Sequence, residues 1–207
     1  MPCRLAPFAA LCLLTTLSIP RTGTAAVTYH RLGDIDNCHY NEPPSSVDHV
    51  YYDPAWVAVA ANKTQPLKAF DIGGKDKQIP FTFVFDVPYG ITGASLELGL
   101  RAEDTLITTD VILVDSSAWH IKYSDLGWVP LSLAHVEVRT LDLSNVLGVN
   151  LLHSLQDGRL NILLADDVTI DYAALTIQYV IPVPRAIDLS ILGAALVAVL
   201  CRRRSPS

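Results

Sequence analysis

The stretch His30-Arg31-Leu32-Gly33-Asp34-Ile35-Asp36-Asn37-Cys38-His39 concentrates groups that hold metal ions. Two imidazoles (His30, His39), two carboxylates (Asp34, Asp36) and a thiol (Cys38) fall within ten residues. Imidazole with thiolate suits zinc, whereas closely spaced carboxylates suit calcium. No pair here has zinc-finger spacing, and Asp34-x-Asp36 lacks the rest of an EF-hand loop. A solvated acidic loop is therefore the simpler reading. A second acidic group is Asp166, Asp167 and Asp171. Three hard oxygens near one loop can share a calcium ion, and Asp166 or Asp167 can equally cap a turn. A third set is aromatic: Trp56, Trp119, Tyr123 and Trp128. Such rings stack on the apolar faces of sugars, and Trp119 and Trp128 bracket a loop, where binding residues tend to sit. Core packing is the competing role for all four.

Catalytic templates are missing from the sequence. There is no Gly-x-Ser-x-Gly, His-Glu-x-x-His, phosphate loop or dinucleotide fingerprint. Two carboxylates could serve as a glycosidase pair, but nothing in the sequence selects which two. The reading is a non-enzyme with no catalytic residue and no cofactor assigned, calcium being a candidate ion; a glycan-active hydrolase is an alternative.

The elements that would position these groups read as strands. Pro80–Asp86 puts Phe81, Phe83 and Phe85 on one face, and Ser95–Arg101 alternates with Leu96, Leu98 and Leu100 in phase. Thr109–Val114 is β-branched and apolar, His135–Arg139 alternates, and Arg159–Leu164 and Val168–Val180 follow. Pro88-Tyr89-Gly90, Asp115-Ser116-Ser117, Asp157-Gly158 and Asp166-Asp167 supply turns. Short strands at this spacing predict an all-β fold, an antiparallel sandwich over about residues 47–181. One short helix is expected near 144–155, where Leu147, Leu151 and Leu155 repeat at four and Asp157-Gly158 would stop it. The stretch before Pro80 is less patterned, with Pro43-Pro44 and Gly73-Gly74 marking loops.

Charge and cysteine usage narrow the function classes. The 207-residue chain is half hydrophobic, with mean hydropathy +0.32, too apolar for disorder. Residues 27–184 carry nine basic and twenty acidic side chains, a net charge of -11. That surface disfavours nucleic acid, and it suits an anionic polysaccharide only with bridging cations. Of four cysteines, Cys3 and Cys12 lie in the N-terminal apolar segment and Cys201 in the C-terminal one, leaving Cys38 without an internal disulfide partner.

The excess hydrophobicity sits at the two ends. Residues 1–26 combine Arg4, an apolar run from Phe8 to Ile19, Pro20 and the small residues Thr24-Ala25-Ala26. This is the layout of a signal peptide cut after Ala25 or Ala26. Residues 27–181 would then be the exported β-sandwich domain. At the other end Pro182-Val183-Pro184 blocks further strand, thirteen apolar or uncharged residues run from Leu189 to Cys201, and Arg202-Arg203-Arg204 close the run. A spanning helix needs about twenty apolar residues, but arginines snorkel and mismatch is tolerated. The arginines would stay cytoplasmic.

Signal, exported domain, Pro-x-Pro, short apolar helix and terminal arginines together resemble the PEP-CTERM class of bacterial proteins. Ile181-Pro182-Val183-Pro184-Arg185-Ala186 is closest to its Val-Pro-Leu-Pro-Ala tail variant, with Val183 where the usual tail has Glu. The resemblance covers residues 182–207. It implies an exosortase-type membrane protease or transpeptidase as partner, with Pro182, Val183, Pro184, Arg202, Arg203 and Arg204 as sorting signal. It also implies a protein tethered at the inner membrane facing the periplasm, then displayed or released as a cell-envelope or extracellular-matrix component. The run Phe81–Val180 resembles jelly-roll modules of exported bacterial proteins. Leu141-Asp142-Leu143, Leu151-Leu152, Asp157-Gly158-Arg159-Leu160, Asp166-Asp167 and Asp171-Tyr172-Ala173 resemble the closing strands of sugar-binding-like sandwiches. That resemblance implies, as a second reading, a carbohydrate-binding module assisted by calcium, with polysaccharide as partner.

Overall fold

Alternating apolar residues build two facing antiparallel sheets in the computed structural model, which describes residues 23–38, 44–60, 67–72, 77–87, 90–104, 111–115, 120–165 and 167–181. The strands are β1 (Thr24–Gly33), β2 (Gln78–Val84), β3 (Ile91–Ala102), β4 (Val111–Val114), β5 (His120–Lys122), β6 (Glu137–Asp142), β7 (Arg159–Ala165) and β8 (Val168–Ile181). One sheet has the order β1-β8-β3-β6 and the other β2-β7-β4-β5. Between them Phe81, Leu96, Leu98, Leu100, Ile112, Leu160, Ile162, Leu164, Leu175 and Ile177 are all fully buried. Phe83 meets Phe81 edge-on with ring centroids 5.9 Å apart, and Phe81 meets Phe70 the same way at 5.3 Å. The expected all-β sandwich is therefore present, and Thr24–Ile181 forms one compact unit.

The sandwich begins earlier than residue 47. β1 pairs with β8 along its whole length, from Thr24 opposite Ile181 to Gly33 opposite Tyr172. Its apolar alternation points the wrong way for a core strand: Val27 and Tyr29 are largely exposed. Pairing with the edge of β8 holds it, and that pairing leaves little hydrophobic signature in the sequence. β5 likewise has no strand pattern of its own; its three residues pair with β4.

The helix expected near 144–155 is not there. Asn145–Asn150 is a tight turn, with Val146 and Val149 exchanging backbone hydrogen bonds at 2.7 and 2.9 Å. Leu147 and Gly148 at its tip both have positive φ (49° and 88°), as a primed turn requires, and Leu147 is exposed. Only Leu152–Leu155 coils, as one 3-10 turn. Among the described residues the α-helix lies at Pro54–Ala60 (α1). Asp53 starts it: its Oδ1 accepts from Ala55 N–H at 2.9 Å, and Pro54 occupies the first helical position. Among the described residues no helix is long and apolar enough to cross a membrane. Residues 1–22 and 182–207, which hold most of the expected leader and all of the expected tail, lie outside the described residues.

Candidate metal centre

The apolar phase of β8 changes partway along. Ala173, Leu175 and Ile177 face the core at odd positions, but Val168 and Ile170 face it at even ones. Such a switch needs one extra residue, and the β3–β8 register supplies it: Gly99 pairs with Tyr172 and Leu100 with Ile170. Asp171 is the unpaired residue of that bulge, and bulges re-aim side chains. It is 1% exposed and lies one position beyond the end of the β1–β8 ladder. The chain leaving β1 at Gly33 then crosses it. Gly33 has φ 76°, and a Cβ there would sit 2.6 Å from the Asp171 carbonyl oxygen and 2.7 Å from the Phe70 ring. Only glycine fits this crossing.

Backbone hydrogen bonds draw five carboxylates and a thiol to this end. Asp36 N–H and Cys38 N–H donate to Asp171 Oδ1 at 3.3 and 2.9 Å, and Cys38 N–H also reaches Asp36 Oδ1 at 3.1 Å. Segment 67–72 is tied on by Phe70 N–H to the Asp48 carbonyl (2.9 Å) and Asp71 N–H to the Ile170 carbonyl (2.9 Å). Asp48, itself buried, is occupied on both oxygens: Asp34 N–H donates to Oδ1 at 3.4 Å and Ser45 N–H to Oδ2 at 2.6 Å. The result is two overlapping groups. Ligand atoms of Cys38, Asp71 and Asp171 lie within 4.8 Å of one another, as do those of Asp34, Asp36 and Asp71. Asp71 belongs to both. Asn37, Cys38 and Asp71 hold positive φ (71°, 50° and 61°), so the backbone bends sharply to bring these groups in.

Crowded carboxylates shift one another. Burial, then the charges of Asp48 and Asp36, push Asp71 from the ordinary 3.8 to about 7. Burial raises Asp171, opposed by the Cys38 and Asp36 amides; burial followed by Asp48 and Asp36 raises Asp34. Burial and the neighbouring Asp171 and Asp71 charges push the Cys38 thiol up, so it stays protonated near neutrality. The Arg101 guanidinium offsets part of this charge. It is buried, donates from Nη1 to the Cys38 carbonyl at 2.9 Å and pairs with Glu103 at 3.2 Å.

The two acidic groups read from the sequence thus merge in part. Asp34, Asp36 and Cys38 of the first meet Asp171 of the second. Asp167 accepts at its carbonyl from Glu103 N–H at 2.7 Å, and four residues of strand, roughly 13 Å, separate it from Asp171. His30, opposite Leu175 on β8, instead packs tilted against Phe85 with ring centroids 5.5 Å apart. His39 and Asp166 lie outside the described residues. Sequence reasoning missed Asp71 and Asp48. Neither has a local motif, although Asp71 sits two residues before Gly73-Gly74.

The aromatic set does not form a platform at the positions described. Tyr123 is fully buried and Trp128 is 5% exposed; their rings pack together with centroids 5.7 Å apart in the core. Trp56 is half-buried on α1, and Trp119 lies outside the described residues. A shallow depression of about 530 Å³ is lined by Val87, Gly90, Ile91, Asn150, Leu152, His153 and Gln156, none of them a candidate site residue. No protein-family model, curated protein or solved structure matches this chain.

Proposed function

We propose that this chain is a non-catalytic, exported cell-envelope or extracellular-matrix protein whose jelly-roll domain is delivered by a signal peptide and sorted by its C-terminal tail. The observation that carries this reading is the way the domain closes. β1 and β8 end together, with Thr24 opposite Ile181, so leader and tail both join the domain at one end of one sheet. Pro182 is the first residue after that ladder, and Pro184 follows; proline cannot extend it. The ladder ends at Ile181, directly before the Pro-x-Pro sequence, and proline's fixed φ and bias against helix suit such a sequence to capture in a protease cleft. The strand orders 1-8-3-6 and 2-7-4-5 support the jelly-roll assignment, two interleaved Greek keys in facing sheets. The apolar run Leu189–Cys201 retains the exported protein at the inner membrane, and Arg202–Arg204 set its orientation. Cleavage after Ala25 or Ala26 removes only the first two or three residues of an edge strand.

The test is mass spectrometry of both termini in the native host. An N-terminus at Ala26 or Val27 and a C-terminus near Pro184, in the extracellular fraction, are expected. Full-length tails fractionating with membranes would instead make the segment a permanent anchor, and intact Met1 on cytoplasmic protein would overturn export. Specific binding on a glycan array would replace display by carbohydrate recognition.

A further inference from the structure

We propose that Asp34, Asp36, Asp71 and Asp171 form a calcium site that pins the segment after β1 and the segment 67–72 onto the bulge of β8. The acidic cluster alone would not require an ion. Asp171 does. It is 1% exposed, its Oδ1 takes two backbone N–H groups, and its Oδ2 is buried with no hydrogen-bond partner. A carboxylate oxygen withdrawn from water without a donor is costly, and a cation is the partner that satisfies it without a proton. Ligand atoms of Asp71 and Asp171 stand within 4.8 Å of each other. Asp34 Oδ1 and Asp71 Oδ1 are likewise buried and unpartnered.

The spacing and chemistry favour calcium. Oxygens bound to one calcium at 2.3–2.6 Å lie up to about 5 Å apart across the ion. Each of the two groups falls within that span, and Asp71 belongs to both. Carboxylate oxygens are hard ligands, and calcium accepts an irregular set of six to eight, completed by carbonyls and water. Zinc would use the Cys38 sulfur as thiolate. One of the two groups holds no sulfur at all, only the carboxylates of Asp34, Asp36 and Asp71, so the oxygen donors outnumber the single thiol. Asp48 is left out because both its oxygens are engaged by backbone amides. The site is independent of the sorting reading.

The experiment is calorimetric titration of the purified full-length chain, stripped with chelator, with calcium chloride alone, and parallel titrations with magnesium and zinc. One calcium per chain is expected, with a dissociation constant between about 10⁻⁵ and 10⁻³ M, as for extracellular calcium modules. Calcium at 10 mM should raise Tm by roughly 3–16 °C across that range of affinity. Asp71→Asn should weaken binding at least tenfold while the metal-free chain still melts cooperatively, and Asp34→Asn should do the same to a smaller degree. Asp171→Asn removes the buried charge; if it does not fold, the other two variants carry the test. No heat and no Tm shift at 10 mM calcium in a folded chain would overturn the proposal. So would calcium affinity unchanged in both Asp71→Asn and Asp34→Asn. Tight zinc binding abolished by Cys38→Ser, with no calcium binding, would replace it with a thiolate site.

Discussion

Asp71→Asn should stabilise the metal-free protein above neutral pH, an unusual outcome for a substitution in a tightly hydrogen-bonded cluster. Asp71 holds its proton up to about pH 7 when folded and to about 3.8 when unfolded. Between those values the native state binds more protons than the unfolded chain. Stability therefore falls as pH rises through that window, and the full penalty is present above it. The gap corresponds to about 4 kcal/mol. Asp71 is only half-buried, so solvent screening reduces this to about 2 kcal/mol. Asparagine removes the charge that Asp48, Asp36 and Asp171 oppose, and it keeps an oxygen to accept from the Cys38 thiol. It also tolerates the backbone φ of 61° at this position. For a domain of this size about 2 kcal/mol is roughly 4–8 °C in Tm. Melting curves by circular dichroism in chelator, at pH 4 and pH 8, measure it. The variant should match the parent at pH 4 and exceed it at pH 8, and saturating calcium should reverse the order at pH 8. A variant that melts lower than the parent at pH 8 in chelator would refute the electrostatic reasoning.

Two further outcomes follow from the local geometry. Gly33→Ala places a Cβ 2.6 Å from the Asp171 carbonyl at a positive φ, so it should cost at least about 2 kcal/mol by chemical denaturation and weaken any ion bound at Asp171. Thr82→Val removes a buried hydroxyl that accepts from Asp53 N–H (3.1 Å) and donates to Asn161 Oδ1 (2.8 Å); a loss of about 1–3 kcal/mol in urea unfolding is expected, with the β-sheet circular dichroism unchanged.

The class of fold was legible in the chain because it depends on side-chain period. Phe81/Phe83/Phe85 and Leu96/Leu98/Leu100 alternate, and all six are buried. Even the bulge left a trace, in the shift from Val168/Ile170 to Ala173/Leu175/Ile177. Where stability comes from backbone pairing rather than burial, that trace vanishes, so β1 could not be read although it forms ten residue pairs with β8. The Leu147/Leu151/Leu155 spacing misled for the complementary reason: Asn145 and Gly148 favour a tight turn, and the turn overrode a weak helical period. The candidate site was half legible. Asp34, Asp36 and Cys38 stand close in sequence, so local spacing exposes them. Asp171 is 133 residues from Cys38, and Asp71 lies on a third segment. Only the register of β1 on β8, and the crossing that Gly33 permits, bring these carboxylates to one point. Their proximity is a property of strand order, which one-dimensional spacing does not encode.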